Sequence, residues 1–234
     1  MDLRDATILI TGGSSGIGFE TARTLIGAGA QVAITGRDEG KLKAAAAALK
    51  AHAIRADVSD AAAARTMVDE TLRAFGSLDV LINNAGIGSF APLVDLDIAE
   101  FRRVMATNVF GAMLAGQAAA RHFIAQGKGG HIINIASTAA QRGFANGTAY
   151  TASKFALAAM TECWRAELRQ HGIRVMQVNP SEVITEFQAR MGQQQVVNES
   201  KLRPREIAHA IKAMLEMDDR GFIPELTVWA TNPK

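Results

Sequence analysis

A tyrosine and a lysine stand four positions apart in the stretch AYTASKFAL, residues 149–157. Tyr150 is the only tyrosine in the chain of 234 residues, although phenylalanine occurs ten times. Residues at i and i+4 share one face of a helix, so the phenol of Tyr150 and the ammonium of Lys154 are expected to project into the same space. A cationic lysine favours phenolate, and would lower the tyrosine pKa towards the range in which it exchanges a proton with a carbonyl or alcohol oxygen. The alternative is an ordinary amphipathic helix start, in which the tyrosine packs and the lysine faces solvent.

A serine precedes this pair at the end of a predicted strand. Ser137 lies thirteen positions before Tyr150. Its hydroxyl could hydrogen-bond the same substrate oxygen and stabilise the charge that develops there. The three side chains together favour acid–base chemistry over the plain helix start.

A glycine-rich stretch near the beginning of the chain, TGGSSGIG at 11–18, has the composition of a phosphate-binding loop. A predicted strand precedes it and a predicted helix follows, which is the context that a dinucleotide-binding loop requires. Its glycines permit a tight turn, and the free N–H groups of the helix N-terminus favour a pyrophosphate. Glycines also occur in ordinary turns. The candidate cofactor-binding residues of this loop are Gly12, Ser14, Ser15, Gly16, Ile17 and Gly18.

The end of the second predicted strand, in ITGRDEGKL, indicates which dinucleotide is bound. NAD-binding sites usually carry an acidic residue about 20 positions beyond the glycine loop, but Gly36 stands here, followed by Arg37. A guanidinium can pair with a 2′-phosphate, so the sequence predicts NADP(H). Asp38 is expected to cap the next helix. The alternative for Arg37 is a solvated surface charge.

The elements that position these residues alternate along the chain. Apolar, β-branched runs predict strands at 6–11, 31–35, 52–55, 79–83, 131–136, 173–179 and 226–230, and Ala-rich patterns predict helices near 16–28, 39–49, 60–75, 97–126, 149–170 and 204–216. Such alternation indicates a parallel sheet with helices on both faces. The predicted fold class is α/β: a doubly wound Rossmann-type three-layer sandwich with a seven-stranded parallel sheet, in a single domain over residues 1–234.

With TGGSSGIG, NNAG at 83–86, NIAS at 134–137 and YTASK at 150–154 in this order, the sequence resembles the short-chain dehydrogenase/reductase family, in particular its NADP-preferring, 3-oxoacyl-reductase-like members. The resemblance spans nearly the whole chain and implies a nicotinamide cofactor and a catalytic group made of Ser137, Tyr150, Lys154 and Asn108. It implies that Asn108 binds a water that continues the proton path from Lys154, and that Lys154 contacts the nicotinamide ribose. For Asn108 the alternative is a buried amide satisfied by backbone groups. The cofactor-binding positions that the resemblance adds are Arg37, Asp57, Val58, Asn84, Ala85, Gly86, Pro180, Val183 and Thr185, besides Tyr150 and Lys154.

The sequence departs from the family pattern in two places. The family usually has Pro-Gly after the sixth strand, whereas NPSEVITEF here has Ser181 and Glu182 after Pro180. Glu182 either orients substrate or cofactor or faces solvent. The usual C-terminal Asp-Gly-Gly element is also absent, and since that segment often forms subunit contacts, the expected homo-oligomer is left open between homodimer and homotetramer.

A substrate loop is expected as an insertion near 186–204, where the sequence is mostly polar. Phe90, Gln141, Phe144 and Phe187 are candidate substrate-pocket residues, although each is equally compatible with a place in the core. The sequence predicts interconversion of a ketone and a secondary alcohol, with a small-molecule carbonyl or alcohol substrate. Alternatives are a 3-oxoacyl-thioester reductase of the acyl-carrier-protein type and a catalytically silent redox sensor; an isomerase or dehydratase is disfavoured because the chain is short.

Composition excludes several other classes of protein. The 25 basic and 23 acidic residues form no basic block, so no nucleic-acid partner is expected. No apolar run is long enough for a membrane span, and the beginning of the chain does not have the pattern of a signal peptide. The single cysteine, Cys163, excludes an internal disulfide and is expected to be a packed thiol, so a soluble cytoplasmic protein is predicted. No metal site is predicted.

Overall fold

The computed structural model describes residues 1–185, 187 and 200–232. Seven parallel strands form one sheet in the order β3-β2-β1-β4-β5-β6-β7. Their bounds are β1 Thr7–Ile10, β2 Gln31–Gly36, β3 His52–Arg55, β4 Val80–Asn83, β5 Gly130–Ile135, β6 Ile173–Pro180 and β7 Glu225–Val228. All seven predicted strands are confirmed, with ends that differ from the predicted ones by at most two residues.

Helices cover both faces of this sheet. They are α1 Gly16–Gly27, α2 Glu39–Leu49, α3 Ala61–Phe75, α4 Ile98–Met105, α5 Ala112–Gln126, α6 Thr148–Leu168 and α7 Pro204–Leu215. The strands are apolar throughout because both faces are buried: in β1, Ile8 and Ile10 pack with α1, α2 and α7, whereas Leu9 packs with α3 and α5. The predicted doubly wound three-layer fold is therefore confirmed.

The helix predicted over 97–126 is divided by a stretch of wider turns. A π-helical segment, Ala106–Gly111, separates α4 from α5 and contains Asn108. A Cβ added at Gly111 would lie 2.7 Å from the side chain of Val58, so the helix packs directly on the loop after β3 at this point. π-Helical turns within a helix are frequent at functional sites because they change the direction of one side chain without ending the helix.

The expected packed thiol of Cys163 is not found, and most of the expected substrate loop lies outside the described residues. Cys163 lies on the outer side of α6 and is exposed, so the prediction of a packed thiol is wrong. The predicted substrate loop near 186–204 lies, except for residues 187 and 200–204, outside the described residues. Among the helices that the structure describes, none is long and apolar enough to cross a membrane.

Candidate functional site

A cleft of about 1020 Å³ opens at the carboxyl ends of the strands. The strand order reverses between β1 and β4, because β2 and β3 extend the sheet to one side of β1 and β4 to β7 extend it to the other. In open parallel sheets, ligands bind in the crevice at this switch point. Of the predicted site residues, all except Gly18 and Asn108 line this cleft.

The loop between β1 and α1 forms the floor of the cleft. Gly12 and Gly16 adopt positive φ values of 66° and 56°, in the left-handed region where glycine is favoured. Gly18 does not line the cleft because it packs underneath it: an added Cβ would lie 2.4 Å from Asn84 Nδ2 and 2.5 Å from the Gly12 carbonyl oxygen. The N-cap side chain of α1, Ser15, does not occupy the first N–H groups of the helix. These free donors beside a loop without bulky side chains fit a pyrophosphate.

Two side chains hold this loop against the end of β4. Asn84 Nδ2 donates hydrogen bonds to the carbonyl oxygens of Thr11 at 2.9 Å and Gly12 at 3.0 Å. Thr11 Oγ1 accepts hydrogen bonds from the backbone N–H groups of Asn84 and Ala85, both at 3.1 Å. The side-chain amide of Asn84 therefore braces the loop. Sequence reasoning missed Thr11, although its position as the first residue of TGGSSGIG was a visible signal.

The far end of the cleft carries opposite charges at the end of β2. Arg37 Nη1 lies 3.9 Å from Asp57 Oδ2, and the two side chains are 50% and 43% exposed. Burial opposes the charge on Asp57, but hydrogen bonds from Ser59 and the charge of Arg37 together hold the pKa of this carboxyl below its ordinary value. Asp38 accepts a hydrogen bond from the backbone N–H of Lys41 at 3.0 Å, which confirms that it caps α2.

The first two turns of α6 bring Tyr150 and Lys154 to the other end of the cleft. Lys154 is 5% exposed, and its Nζ lies 5.7 Å from the centre of the Tyr150 ring. The ammonium donates a hydrogen bond to the carbonyl oxygen of Ile135, at the end of β5, at 2.8 Å. Burial lowers the pKa of Lys154 to about 8, because the charged form loses most of its hydration.

The Tyr150 phenol has the opposite pKa shift from the one predicted. Burial raises the pKa of Tyr150 above its ordinary value, and a hydrogen bond with Ser137 only partly counteracts this. The predicted lowering by Lys154 is therefore wrong for the protein alone: the desolvation of the phenolate outweighs the other influences. Ser137 begins the short turn Thr138–Ala140, where its Oγ accepts a hydrogen bond from the Ala139 N–H at 3.1 Å.

Asn108 is buried behind the cleft, and its amide is occupied by protein groups. Its Oδ1 accepts a hydrogen bond from the Ile87 N–H at 2.9 Å, and its Nδ2 donates to the Ile87 carbonyl oxygen at 2.9 Å and to Ser153 Oγ at 3.0 Å. Ser153 Oγ in turn donates to the Tyr150 carbonyl oxygen at 2.7 Å. These bonds favour the buried-amide interpretation of the Asn108 side chain and tie the segment after β4 to the first turn of α6. Ser153 was missed by sequence reasoning because small polar residues are common in helices.

The four candidate pocket residues separate into two groups. Phe90, Phe144 and Phe187 line the cleft beside Tyr150. Gln141 instead points to the sheet edge, where its Nε2 donates to Glu225 at 3.2 Å and Thr227 at 3.4 Å. The prediction that Gln141 lines the pocket is therefore wrong.

Glu182 lies at the rim of the same cleft. It is 63% exposed and forms an ion pair with Lys201, with Nζ and Oε2 2.6 Å apart. Its charge is therefore balanced by a neighbouring side chain. Among the residues that the structure describes, no group of three His, Cys, Asp or Glu side chains is placed to hold a metal ion.

Comparisons with known proteins agree with this arrangement. The family model described as short chain dehydrogenase matches residues 6–196. A sorbitol dehydrogenase of Cereibacter sphaeroides is 40% identical over 185 residues, covering 78% of this chain and 72% of that protein. A solved 3-ketoacyl-(acyl-carrier-protein) reductase from Brucella melitensis, complexed with NADH, has a TM-score of 0.90 at 29% identity and covers 98% of both chains. A metagenomic short-chain oxidoreductase in complex with NADP has a TM-score of 0.85 at 34% identity, covering 99% of this chain and 100% of that one.

The buried ammonium predicts a specific pH dependence of stability. The Lys154 pKa falls from 10.5 in the unfolded chain to about 8 in the folded protein. Between these pH values the unfolded state binds more protons, so the free energy of unfolding of the wild type should rise with pH relative to Lys154→Met. Below about pH 8 the difference between the two proteins should be constant, and above it the gain should be on the order of 3 kcal/mol by pH 10.5.

Urea unfolding of both proteins between pH 6 and pH 10 measures this difference. Lys43→Met is the matched control, because the Lys43 side chain is 71% exposed. Its stability should stay parallel to that of the wild type. Parallel curves for Lys154→Met would contradict the desolvation of Lys154.

Proposed function

The chain belongs to the short-chain dehydrogenase family, and we propose that within this family it is an NADP(H)-dependent oxidoreductase that interconverts a ketone and a secondary alcohol. The family establishes an oxidoreductase with a nicotinamide dinucleotide, as the sequence resemblance implied. The choice of reaction rests on one observation: Ser137, Tyr150 and Lys154 line the same cleft as the glycine loop.

In this proposal the protein supplies position and a proton. A nicotinamide held in this cleft would supply or accept the hydride at the substrate carbon. For ketone reduction, Tyr150 gives its phenolic proton to the carbonyl oxygen, and the Ser137 hydroxyl donates a hydrogen bond to the same oxygen as charge develops on it. For alcohol oxidation, the same two groups work in reverse.

The protonation states at neutral pH suit the reductive direction. Burial raises the pKa of Tyr150, so the phenol keeps its proton and is able to donate it. The Lys154 pKa of about 8 leaves its side chain mostly cationic at pH 7. Once the phenol has given up its proton, this neighbouring cation stabilises the phenolate, because the two groups share a site of low dielectric.

Tyr150→Phe removes the proton donor and keeps the ring. We expect turnover to fall by about 10²–10⁴-fold, which is the usual contribution of a positioned general acid. Binding of NADPH, followed by quenching of protein fluorescence, should remain measurable, because the glycine loop and Lys154 are untouched. Retention of more than a few per cent of turnover would exclude Tyr150 as the acid–base group.

The same variant separates the enzyme from a catalytically silent redox sensor. A sensor would bind NADPH and reduce no ketone even as the wild type, so Tyr150→Phe would change nothing measurable. An enzyme would lose turnover with its cofactor affinity intact.

The preference for NADP(H) rests on the end of β2. A Cβ at Gly36 would lie 3.2 Å from Ser14 Oγ, so an acidic side chain at this position would crowd the loop. Arg37 and Lys41 line the cleft at the same place. The contact between Arg37 and Asp57 is long and half-exposed, so it is worth little and leaves the guanidinium able to bind a 2′-phosphate.

Arg37→Ala should therefore weaken NADPH more than NADH. Loss of a charge-assisted bond to phosphate should raise the Michaelis constant for NADPH by about 10–100-fold, while the constant for NADH changes by less than about threefold. Arg55→Ala is the control, because Arg55 is 69% exposed, pairs with Glu39 and does not line the cleft. A wild-type Michaelis constant lower for NADH than for NADPH would contradict the proposed preference.

A homodimer or homotetramer is part of the proposal. Apolar side chains are exposed on the π-helical segment Ala106–Gly111, on α5 and on α6: Phe110 at 55%, Ile124 at 43% and Phe155 at 44%, respectively. Apolar surface of this kind is favourably covered by a second copy. A cytoplasmic location is also proposed, since the single Cys163 is a free thiol.

Phe110→Asp combined with Phe155→Asp should convert the assembly to monomers, because carboxylates would have to be buried in the contact. Sedimentation velocity of the wild type and the double variant measures this. A wild type that sediments as a monomer would exclude the proposed oligomer.

A further inference from the structure

Two phenylalanine rings pack against the ring of Tyr150, and a third stacks on one of them. The centre of the Phe90 ring lies 5.5 Å from that of Tyr150, and the centre of the Phe187 ring lies 5.6 Å from it, with both rings tilted. Phe144 stacks on Phe90 with the ring centres 6.0 Å apart. These three side chains, called here the phenyl wall, cover one side of the proposed catalytic end of the cleft.

Two glycines allow the rings of the phenyl wall to lie against the backbone. A Cβ at Gly88 would lie 2.5 Å from Phe90 Cε2 and 2.9 Å from Phe187 Cζ. A Cβ at Gly147 would lie 2.7 Å from Phe144 Cε2. The absence of side chains at these two glycines therefore leaves room for the rings of the phenyl wall, which line the cleft.

Part of this apolar surface is exposed to water. Phe144 is 51% exposed although it lines the cleft. An exposed ring at the mouth of a cleft gains free energy when an apolar ligand covers it. The charged pair at the same rim, Glu182 and Lys201, is internally neutralised at 2.6 Å. The phenyl wall therefore favours an apolar ligand over a charged one.

From this arrangement we infer that the substrate is a ketone, or the corresponding secondary alcohol, whose reacting carbon is part of or directly attached to an apolar ring, either alicyclic or aromatic. The inference rests on the proposed function. A ring, whether aromatic or alicyclic, presents a broader apolar face to the phenylalanine side chains than a narrow linear chain does, and it loses less conformational entropy on binding. A polyol would lose hydrogen bonds with water for each hydroxyl placed against the phenyl wall.

The reaction balances within the proposed chemistry. In reduction, NADPH transfers a hydride to the carbonyl carbon and becomes NADP⁺, while Tyr150 transfers its proton to the carbonyl oxygen. A ring-bearing secondary alcohol forms, and the phenolate is reprotonated from solvent.

Acetophenone and 2-octanone test the shape of the substrate, because the two ketones have the same number of carbon atoms and both are apolar. With NADPH, we expect kcat/KM for acetophenone to exceed that for 2-octanone by about tenfold or more. Fructose and an acetoacetyl thioester complete the panel as a polyol ketone and a 3-oxoacyl compound. Equal or faster reduction of 2-octanone, fructose or the thioester would overturn the inference and leave the proposed function standing.

A binding measurement separates the inference from catalysis. Ligand-observed NMR with 1-phenylethanol and 2-octanol, without any cofactor, should show tighter binding of the ring alcohol. If 1-phenylethanol binds preferentially and no ketone is reduced, the proposed function fails and the ring compound is no substrate, but the phenyl wall is still a ring-selective binding surface. If neither preferential binding nor preferential reduction of the ring compound is seen, the inference fails.

Variants of the phenyl wall locate the effect. Phe144→Ala, at a half-exposed position where folding should be preserved, is expected to weaken 1-phenylethanol binding and to lower kcat/KM for acetophenone, each by about tenfold. The change for 2-octanone should be smaller, and Phe90→Ala should act in the same way. Leu93→Ala, an apolar truncation at a site that is 77% exposed and outside the cleft, is the matched control and should change neither. Equal losses for ring and linear ligands in Phe144→Ala would overturn the assignment of ring selectivity to the phenyl wall.

Discussion

The buried ammonium of Lys154 is the constraint on which the rest of the site depends. A lysine with 5% exposure needs a partner, and among the described residues the Ile135 carbonyl oxygen at the end of β5 accepts a hydrogen bond from it. This bond fixes α6 against the sheet at the point where Ser137 follows the strand. Tyr150, one turn before Lys154, is thereby held next to Ser137. A single desolvated charge thus links α6 to the end of β5, which Ser137 follows.

A second set of bonds positions the same helix from the other side. The Asn108 side chain makes two hydrogen bonds with the backbone of Ile87 and donates a third to Ser153, whose hydroxyl donates to the Tyr150 carbonyl oxygen. The π-helical turns at Ala106–Gly111 direct Asn108 inward without ending the long helix. The buried amide of Asn108 therefore orients the first turn of α6, and this orientation positions the Tyr150 phenol relative to the cleft.

The cleft has two chemically different ends, and this difference supports the functional proposals. Glycine backbone, Arg37 and Lys41 surround the end near α1 and α2, where phosphate groups fit. Phe90, Phe144 and Phe187 line the other end, where we propose that an apolar ring binds. Tyr150 borders the phenyl wall, and burial raises the pKa of its phenol. The desolvated phenol and the apolar rings that we propose to select the substrate therefore lie at the same end of the cleft.

The amino-acid sequence by itself determined the order of strands and helices along the chain, the glycine loop, and the shared helix face of Tyr150 and Lys154. These follow from local rules: apolar runs form buried strands, glycines allow tight turns, and residues four apart meet on a helix. The tertiary structure decided which environment each side chain enters. It buried Tyr150 so that desolvation outweighs Lys154, engaged the Asn108 amide with Ile87 and Ser153, directed Gln141 to Glu225 and exposed Cys163. A pKa, a hydrogen-bond partner and an exposed fraction depend on residues far apart in the chain, and the spacing of residues along the sequence does not contain them.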